Sequence, residues 1–256
     1  MNKKSNLLII GSGWEQIPLI KEGLKSNINL ILTDPSKKAE GFNLSKNNFE
    51  FNPRSLHLLP KIINDWHIDA VVSDQCDYSR YATVFASHLI NNKIENLRVV
   101  QLTTNKKWMR NCCAKNGVLQ PEYKACWNLT DVYDFLKVIS FPAIIKPVDN
   151  RGSFGVSRIN NIDEVEKAFY LAIANSHSRQ VIVEQWIEGT HLTVDGCIDQ
   201  DGVHHNLSLS TKKILMDKIP IITDILFPGD ISKNNKEKIF KINDIIVNGL
   251  GIKDGL

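Results

Sequence analysis

The sequence has no long apolar run, no CxxC pair and no block of like charge, and each absence closes off a class of function. Its apolar stretches are of strand length, far short of the roughly 18–20 residues that a membrane-spanning helix needs. The opening Met1-Asn2-Lys3-Lys4 leads only into residues 7–10, too short for the core of a signal peptide. Five cysteines, at 76, 112, 113, 126 and 197, make an odd set with one adjacent pair, which does not suggest a disulfide framework. A cytoplasmic protein without a membrane partner is therefore expected. The formal net charge is only +3, and Lys and Arg are spread along the chain without a run of five or six. No nucleic-acid partner is expected, and any bound anion should be small and held locally.

What is present is an ordinary globular composition, 43% hydrophobic and 23% charged over 256 residues, enough for one large or two modest domains. Residues 7–100 alternate short apolar runs with amphipathic stretches. Residues 7–10 read as a buried strand, Gly11-Ser12-Gly13 as a tight turn, and 15–25 as a helix with Ile17, Ile20 and Leu24 on one face. A strand at 28–33 stops at Asp34-Pro35. A helix at 55–66, a strand at 70–73, a helix at 79–90 and a fourth strand at 99–102 complete the series. That spacing is the spacing of βαβ units, so a parallel sheet is the economical arrangement.

From about residue 103 the pattern changes. Thr103-Thr104-Asn105 caps a helix over 106–116 that stops at Gly117. Next come a helix at 130–139, a strand at 143–146 between Pro142 and Pro147, a polar loop at 149–155 and a strand near 156–159. Asp163 is read as the cap of a helix reaching about 175. Strands at 181–184, 191–199 and 203–210 follow, the last two joined by an Asp201-Gly202 turn. This half reads as α+β with antiparallel pairing, and the domain boundary is expected near 100–105.

Three segments carry chemistry. Gly11-Ser12-Gly13-Trp14-Glu15-Gln16 follows a strand and opens a helix, and Asp34 ends the next strand where a ribose-binding acid would stand. A dinucleotide fingerprint wants a third glycine or alanine at Gln16, so the fit is partial, and a plain α/β turn is the alternative. Residues 144–147, Ile-Ile-Lys-Pro, lead into Asn150-Arg151-Gly152-Ser153-Phe154-Gly155-Val156. A lysine at the end of a buried strand before a small-residue loop suits phosphate, because glycine lets backbone N–H groups close in and lysine adds a point charge. No Gly-Lys-Ser/Thr ends the loop, so it is not a Walker A motif; alone it reads equally as a hairpin with one snorkelling lysine. The third segment, Val183-Glu184-Gln185-Trp186-Ile187-Glu188-Gly189-Thr190-His191, can offer backbone groups to an adenine edge, or can be a turn around a half-buried tryptophan.

Taken in order, Asn105-Lys106, Gly117-Val118 with Pro121, the strand before Pro147, the Gly-Ser-Phe-Gly-Val loop and residues 183–189 resemble the ATP-grasp superfamily. The match includes members similar to the carbamoyl-phosphate synthetase large subunit, biotin carboxylase and other carboxylate–amine ligases. The first half is similar to their pre-grasp domain. The resemblance implies an α/β fold: a Rossmann-like parallel sheet in residues 1–102, then an α+β ATP-grasp domain in 103–256. That second domain would divide into a small subdomain at about 112–187 and an incomplete C-terminal subdomain from 188. It implies that Lys106 and Lys146 contact ATP phosphates and that Gly152, Ser153 and Gly155 belong to a closing loop. Glu184, with the backbone of Gln185 and Ile187, would receive adenine. His191 stands where the family often has a ribose-binding glutamate, and Lys212, with Lys213 competing, would face phosphate.

The implied partners are ATP and a small carboxylate, activated as an acylphosphate and captured by an amine with two Mg²⁺ ions neutralising charge. The metal ligands are expected beyond Leu256, with none in this chain; Asp195 and Asp199, alternating on a strand, are a poor substitute. A helix near 234–248, apolar at Ile239, Ile242, Ile245, Ile246 and Leu250, is expected to lack part of its cover, as in a fragment or a shortened protein. The oligomeric state stays open, such enzymes often being dimers. Alternatives are a nucleotide-binding remnant without catalysis, or an NAD-dependent oxidoreductase built on the first domain. The tryptophans are expected in the core or a cleft, His204-His205 on opposite strand faces, and Cys112-Cys113 as structural.

Overall fold

The computed structural model describes residues 4–91, 96–199, 201–216 and 220–253, and the chain divides into two compact units, 1–100 and 101–256. Residues 1–3 and 254–256, which belong to the terminal segments read above, lie outside the described residues. Among the described residues no helix is long and apolar enough to cross a membrane.

The first unit is built from Asn6–Ile10 (β1), Ile17–Lys25 (α1), Asn29–Asp34 (β2), Asn48–Glu50 (β3), Leu59–Trp66 (α2), Ala70–Val72 (β4) and Arg80–Leu89 (α3). Its sheet has the order β3-β2-β1-β4, and all neighbours run parallel. Leu8, Ile9 and Ile10 are all fully buried because the sheet is covered on both faces. Leu8 and Ile10 pack with Leu59, Val71, Ala82 and Ala86, on the side of α2 and α3. Ile9 points the other way, toward Ile20 of α1 with Leu30 and Leu32. Leu24, expected on that apolar face, is exposed at the last turn of α1.

Leu97–Thr104 is a helix (α4) where a fourth strand was expected at 99–102. Asn96 decides the matter: its Oδ1 accepts the Arg98 N–H at 2.8 Å and its carbonyl accepts the Val99 N–H at 2.9 Å. A local side-chain cap starts the helix, and burial of Val99 and Val100 outweighs their β-propensity. The fourth strand of the sheet is instead the short β3, which pairs at the far edge.

The second unit continues with Lys106–Lys115 (α5), Tyr123–Cys126 (β5), Leu129–Leu136 (α6), Ala143–Pro147 (β6), Ser157–Ile159 (β7), Val165–Ala174 (α7) and Val181–Gln185 (β8). His191–Ile198 (β9), His204–Met216 (β10), Pro220–Leu226 (β11) and Lys233–Leu250 (α8) follow. Asn105 caps α5, its side chain accepting the Trp108 N–H. The cap before α7 is Asn161 rather than Asp163, which lies inside the short 3₁₀ turn preceding that helix. One antiparallel sheet has the order β5-β8-β6-β7, and a second has the order β11-β10-β9. Ala143, Ile145, Val181 and Val183 turn one face of the first sheet onto α6 and α7, where they meet Val132, Leu136, Ala168, Phe169 and Ala172. Because strand side chains alternate, Lys146 and Glu184 are left on the opposite face. The tryptophans divide: Trp66 stacks on Phe49 at 5.5 Å, whereas Trp14 and Trp127 are 72% and 59% exposed and form no part of the core.

Candidate functional site

The face of the first antiparallel sheet turned away from α6 and α7 carries the candidate site. In the register Lys146 lies opposite Ile182 and Ile144 opposite Glu184. Lys146 and Glu184 are therefore diagonal neighbours on one face, close enough for two long side chains to meet. Lys146 Nζ donates to Glu184 Oε2 at 2.7 Å. Arg110, on α5, reaches the same carboxylate with two bonds, Nε to Oε1 at 3.0 Å and Nη2 to Oε2 at 3.0 Å. The exposed fractions of the Glu184, Lys146 and Arg110 side chains are 6%, 17% and 26%.

Two cations thus face one buried carboxylate. Burial alone would raise the Glu184 pKa, but the Lys146 charge and the Arg110 bonds outweigh it and hold the carboxyl below its ordinary value. Burial pushes the Lys146 ammonium down, against the opposing pull of Glu184. The trio carries an excess of positive charge, a suitable setting for an anion.

Arg110 was missed in the sequence. The signal that could have found it is its spacing: it lies four residues after Lys106, on the same face of a capped helix. Lys106 itself turns to the glycine loop, where its Nζ donates to the Asn150 carbonyl and its backbone N–H donates to Val148 O at 2.8 Å.

The loop at 149–155 is anchored at its root. Asp149 accepts from Ser176 Oγ at 2.8 Å and from the backbone N–H groups of His177 at 3.1 Å and Ser178 at 2.7 Å. Burial would raise its pKa, and these hydrogen bonds together lower it. Gly152, Ser153 and Gly155 have φ of +63°, +58° and +75°, the left-handed region. At Gly155 a Cβ would also stand 2.8 Å from Asn175 Cβ and 2.9 Å from Pro147 Cγ, so glycine is required there.

A cavity of about 350 Å³ lies between residues 186–191 and the middle of β10. Ile187, His191 and Lys212 all line it, with Trp186, Glu188 and Lys213. Lys212 lies inside β10, which runs on well past residue 210, and pairs with His191 of β9. The Gln185 N–H is already used by Glu122 O at 2.8 Å. Trp186 is braced by Arg158, whose guanidinium lies 4.9 Å from the ring centre. The structure therefore gathers Lys146 with Glu184, Lys106 with the loop, and Ile187, His191 and Lys212 around one cavity.

Other candidates resolve into structural roles. Asp195 accepts from Ser208 Oγ at 2.6 Å, while Asp199 lies past the end of β9 and organises the turn by accepting the Asp201 and Val203 N–H groups. His204 pairs with Asp244 at 2.8 Å and His205 with Asp199 at 2.6 Å, so each imidazole has its own carboxylate. Cys112 donates to Gly249 O at 3.1 Å, tying α5 to α8. Among the described residues no three His, Cys, Asp or Glu side chains gather in one cluster. In the first unit, the Ser12 N–H is bound by Asp34 Oδ2 at 3.0 Å and the Gly13 N–H by Gln16 Oε1 at 3.0 Å. These two donors of the turn are thus already engaged by side chains.

Residues 139–256 match the family model of the ATP-grasp domain. The chain is 23% identical over 243 residues to a formate-dependent phosphoribosylglycinamide formyltransferase of Methanocaldococcus jannaschii, covering 86% of this chain and 62% of that protein. Its fold is similar to an ADP complex of an N5-carboxyaminoimidazole ribonucleotide synthetase, with a TM-score of 0.79 at 15% identity over 98% of this chain and 65% of that one. It is similar also to an L-amino acid ligase from Bacillus licheniformis, with a TM-score of 0.73 at 18% identity over 100% and 62% of the two chains. The chain spans less than two thirds of the length of these relatives. The antiparallel sheets of the second unit and the domain match agree: residues 139–256 belong to an ATP-grasp domain, and the fold of the whole chain is similar to that of the two enzymes just named.

Proposed function

We propose that this chain binds ATP and serves a ligase that activates a small carboxylate as an acylphosphate for capture by an amine. The observation that carries this reading is the buried Glu184 carboxylate shared by Lys146 and Arg110, next in sequence and space to a glycine loop rooted by Asp149. In this reading Lys146 and Lys106 meet phosphate oxygens, and the N–H groups of Gly152, Ser153 and Gly155 close over them. The backbone around Gln185 and Ile187 meets the adenine edge, because the Glu184 carboxylate is already engaged. His191 and Lys212 line the cavity where a ribose and a phosphate would lie. Transfer of a phosphoryl group needs positioning and neutralisation of charge on its oxygens more than it needs a base. Mg²⁺ would add to that neutralisation when bound. Two of the proteins named above are, by name, formate-dependent and an L-amino acid ligase, which favours a small carboxylate as the acceptor.

Calorimetric titration of ATP, with and without Mg²⁺, tests the reading on the wild type and on Lys146→Ala. Binding that depends on Lys146 supports it, and ADP formation with a carboxylate present extends it to catalysis. Binding without turnover points to a nucleotide-holding module. Absence of any ATP binding by the folded chain overturns the assignment of residues 106–212.

A further inference from the structure

We propose that Arg110 is a positioning residue: it keeps the Glu184 carboxylate bound and compensated, so that Lys146 can leave it for a phosphate oxygen. The proposal deepens the ATP-binding reading and rests on it for the phosphate, but the ligand-free protein carries a test of its own.

The argument starts from the unequal way the two cations hold one acid. Arg110 engages both oxygens of Glu184, each at 3.0 Å, in the parallel fork that a planar guanidinium favours. Lys146 adds a single bond, at 2.7 Å, to Oε2. The remaining Arg110 nitrogen, Nη1, donates to Gln120 Oε1 at 2.9 Å, and Gln120 Nε2 in turn donates to Leu119 O at 2.7 Å. The guanidinium is therefore braced in its plane, whereas the ammonium sits at the end of a four-carbon stem and can swing.

Charge gives the same answer. With Lys146 turned to a phosphate, Arg110 and Glu184 remain a complete ion pair, and each charge has a partner. Without Arg110, the same movement would strand a carboxylate whose side chain is 6% exposed, a heavily penalised state. Lys146 would then stay on Glu184, and phosphate would have to compete with an internal anion. The helix supports the arrangement, since Asn105 caps α5 and Lys106, one turn before Arg110, docks on the Asn150 carbonyl where the glycine loop begins.

The test reads Lys146 directly. Acetylation with a water-soluble acylating reagent, followed residue by residue by mass spectrometry, is compared in ligand-free wild type, Arg110→Met and Arg110→Lys, with exposed Lys137 as the internal standard. Loss of Arg110 should slow acetylation of Lys146 by about threefold or more, because Glu184 then holds the ammonium alone. Arg110→Lys, which keeps the charge but not the fork, should lie between, and it serves if Arg110→Met does not fold. An unchanged or faster Lys146 rate overturns the proposal. The second arm measures ATP affinity. Arg110→Met should weaken it by about tenfold, the scale of a lost charge-assisted hydrogen bond. In a Glu184→Gln background, where no carboxylate charge needs holding, the same substitution should cost less than about twofold. Equal losses in both backgrounds mean that Arg110 touches the nucleotide itself, and they overturn the positioning role. If wild-type protein binds no ATP, the proposed function fails, and the acetylation arm still decides the role of Arg110.

Discussion

Gln16 donates from Nε2 to the Asp74 carbonyl at 2.8 Å while its Oε1 accepts the Gly13 N–H at 3.0 Å. One buried side chain thus bridges the turn after β1 and the end of β4, the two strands flanking the point where the strand order reverses. In open α/β sheets ligands approach at such a point, and backbone N–H groups there are the usual attraction for phosphate. Gln16 occupies that role from within. Replacing it by alanine should lower stability by about 1–3 kcal/mol, through loss of buried hydrogen bonds. Denaturant unfolding reads that cost, and saturable NAD binding by the wild type would contradict the account.

Gly155→Ala should be more damaging than Gly152→Ala. Both positions have positive φ, but an alanine at 155 meets Asn175 Cβ and Pro147 Cγ below 3.0 Å, whereas one at 152 meets only the Phe154 ring at 3.2 Å. Phe154 is 64% exposed and can swing aside. The expected difference is about 1–3 kcal/mol, the usual cost of overpacking. Urea midpoints of the two variants check the order.

Glu184→Gln should destabilise the chain at neutral pH by about 3 kcal/mol, because it leaves two partly buried cations without their acid. The folded pKa of Glu184 is lowered, so its stabilisation is complete above the ordinary carboxylate value and fades as pH falls through the lower, folded one. Wild type and variant should therefore converge in acid, and parallel melting curves from neutral to low pH show whether they do. A gap independent of pH would sink the charge argument.

Asp149→Asn places an N–H group where the loop offers donors from Ser176, His177 and Ser178. At least one bond becomes a clash of donors, at a cost of about 1–2 kcal/mol. Faster hydrogen exchange confined to residues 149–156 and 176–180 is expected, and unchanged exchange would refute the anchoring role.

Thiol reagents should find Cys76 and Cys197 first. Cys112, Cys113 and Cys126 are buried, and burial pushes the Cys126 thiol up to about 12, far from the reactive thiolate near neutral pH. Mass mapping after brief alkylation of native protein checks the order; early labelling of Cys126 would contradict its burial.

The legible parts were those written in local pattern. Leu8-Ile9-Ile10 read as a strand buried on both faces because an uninterrupted apolar run cannot face water on either side. Lys146 before a glycine loop could be read because lysine interrupts an apolar strand where nothing in the strand itself asks for it. The segment at 97–104 was misread because its Val-Val pair satisfies either period, and the deciding bond comes from the side chain of Asn96. Strand β5, Tyr123–Cys126, could not be seen because its four residues gain their place only by pairing with β8.

The sequence by itself determined the strand–helix alternation behind the parallel sheet, the glycine loop and the lysine ahead of it, since each depends on periodicity or backbone freedom within a few residues. Only the tertiary structure decided what Glu184 does. Its partners Lys146 and Arg110 lie 38 and 74 residues away along the chain, and antiparallel register and a capped helix bring them to one carboxylate. A charge is read from its neighbours, and those neighbours exist only after the sheet has formed.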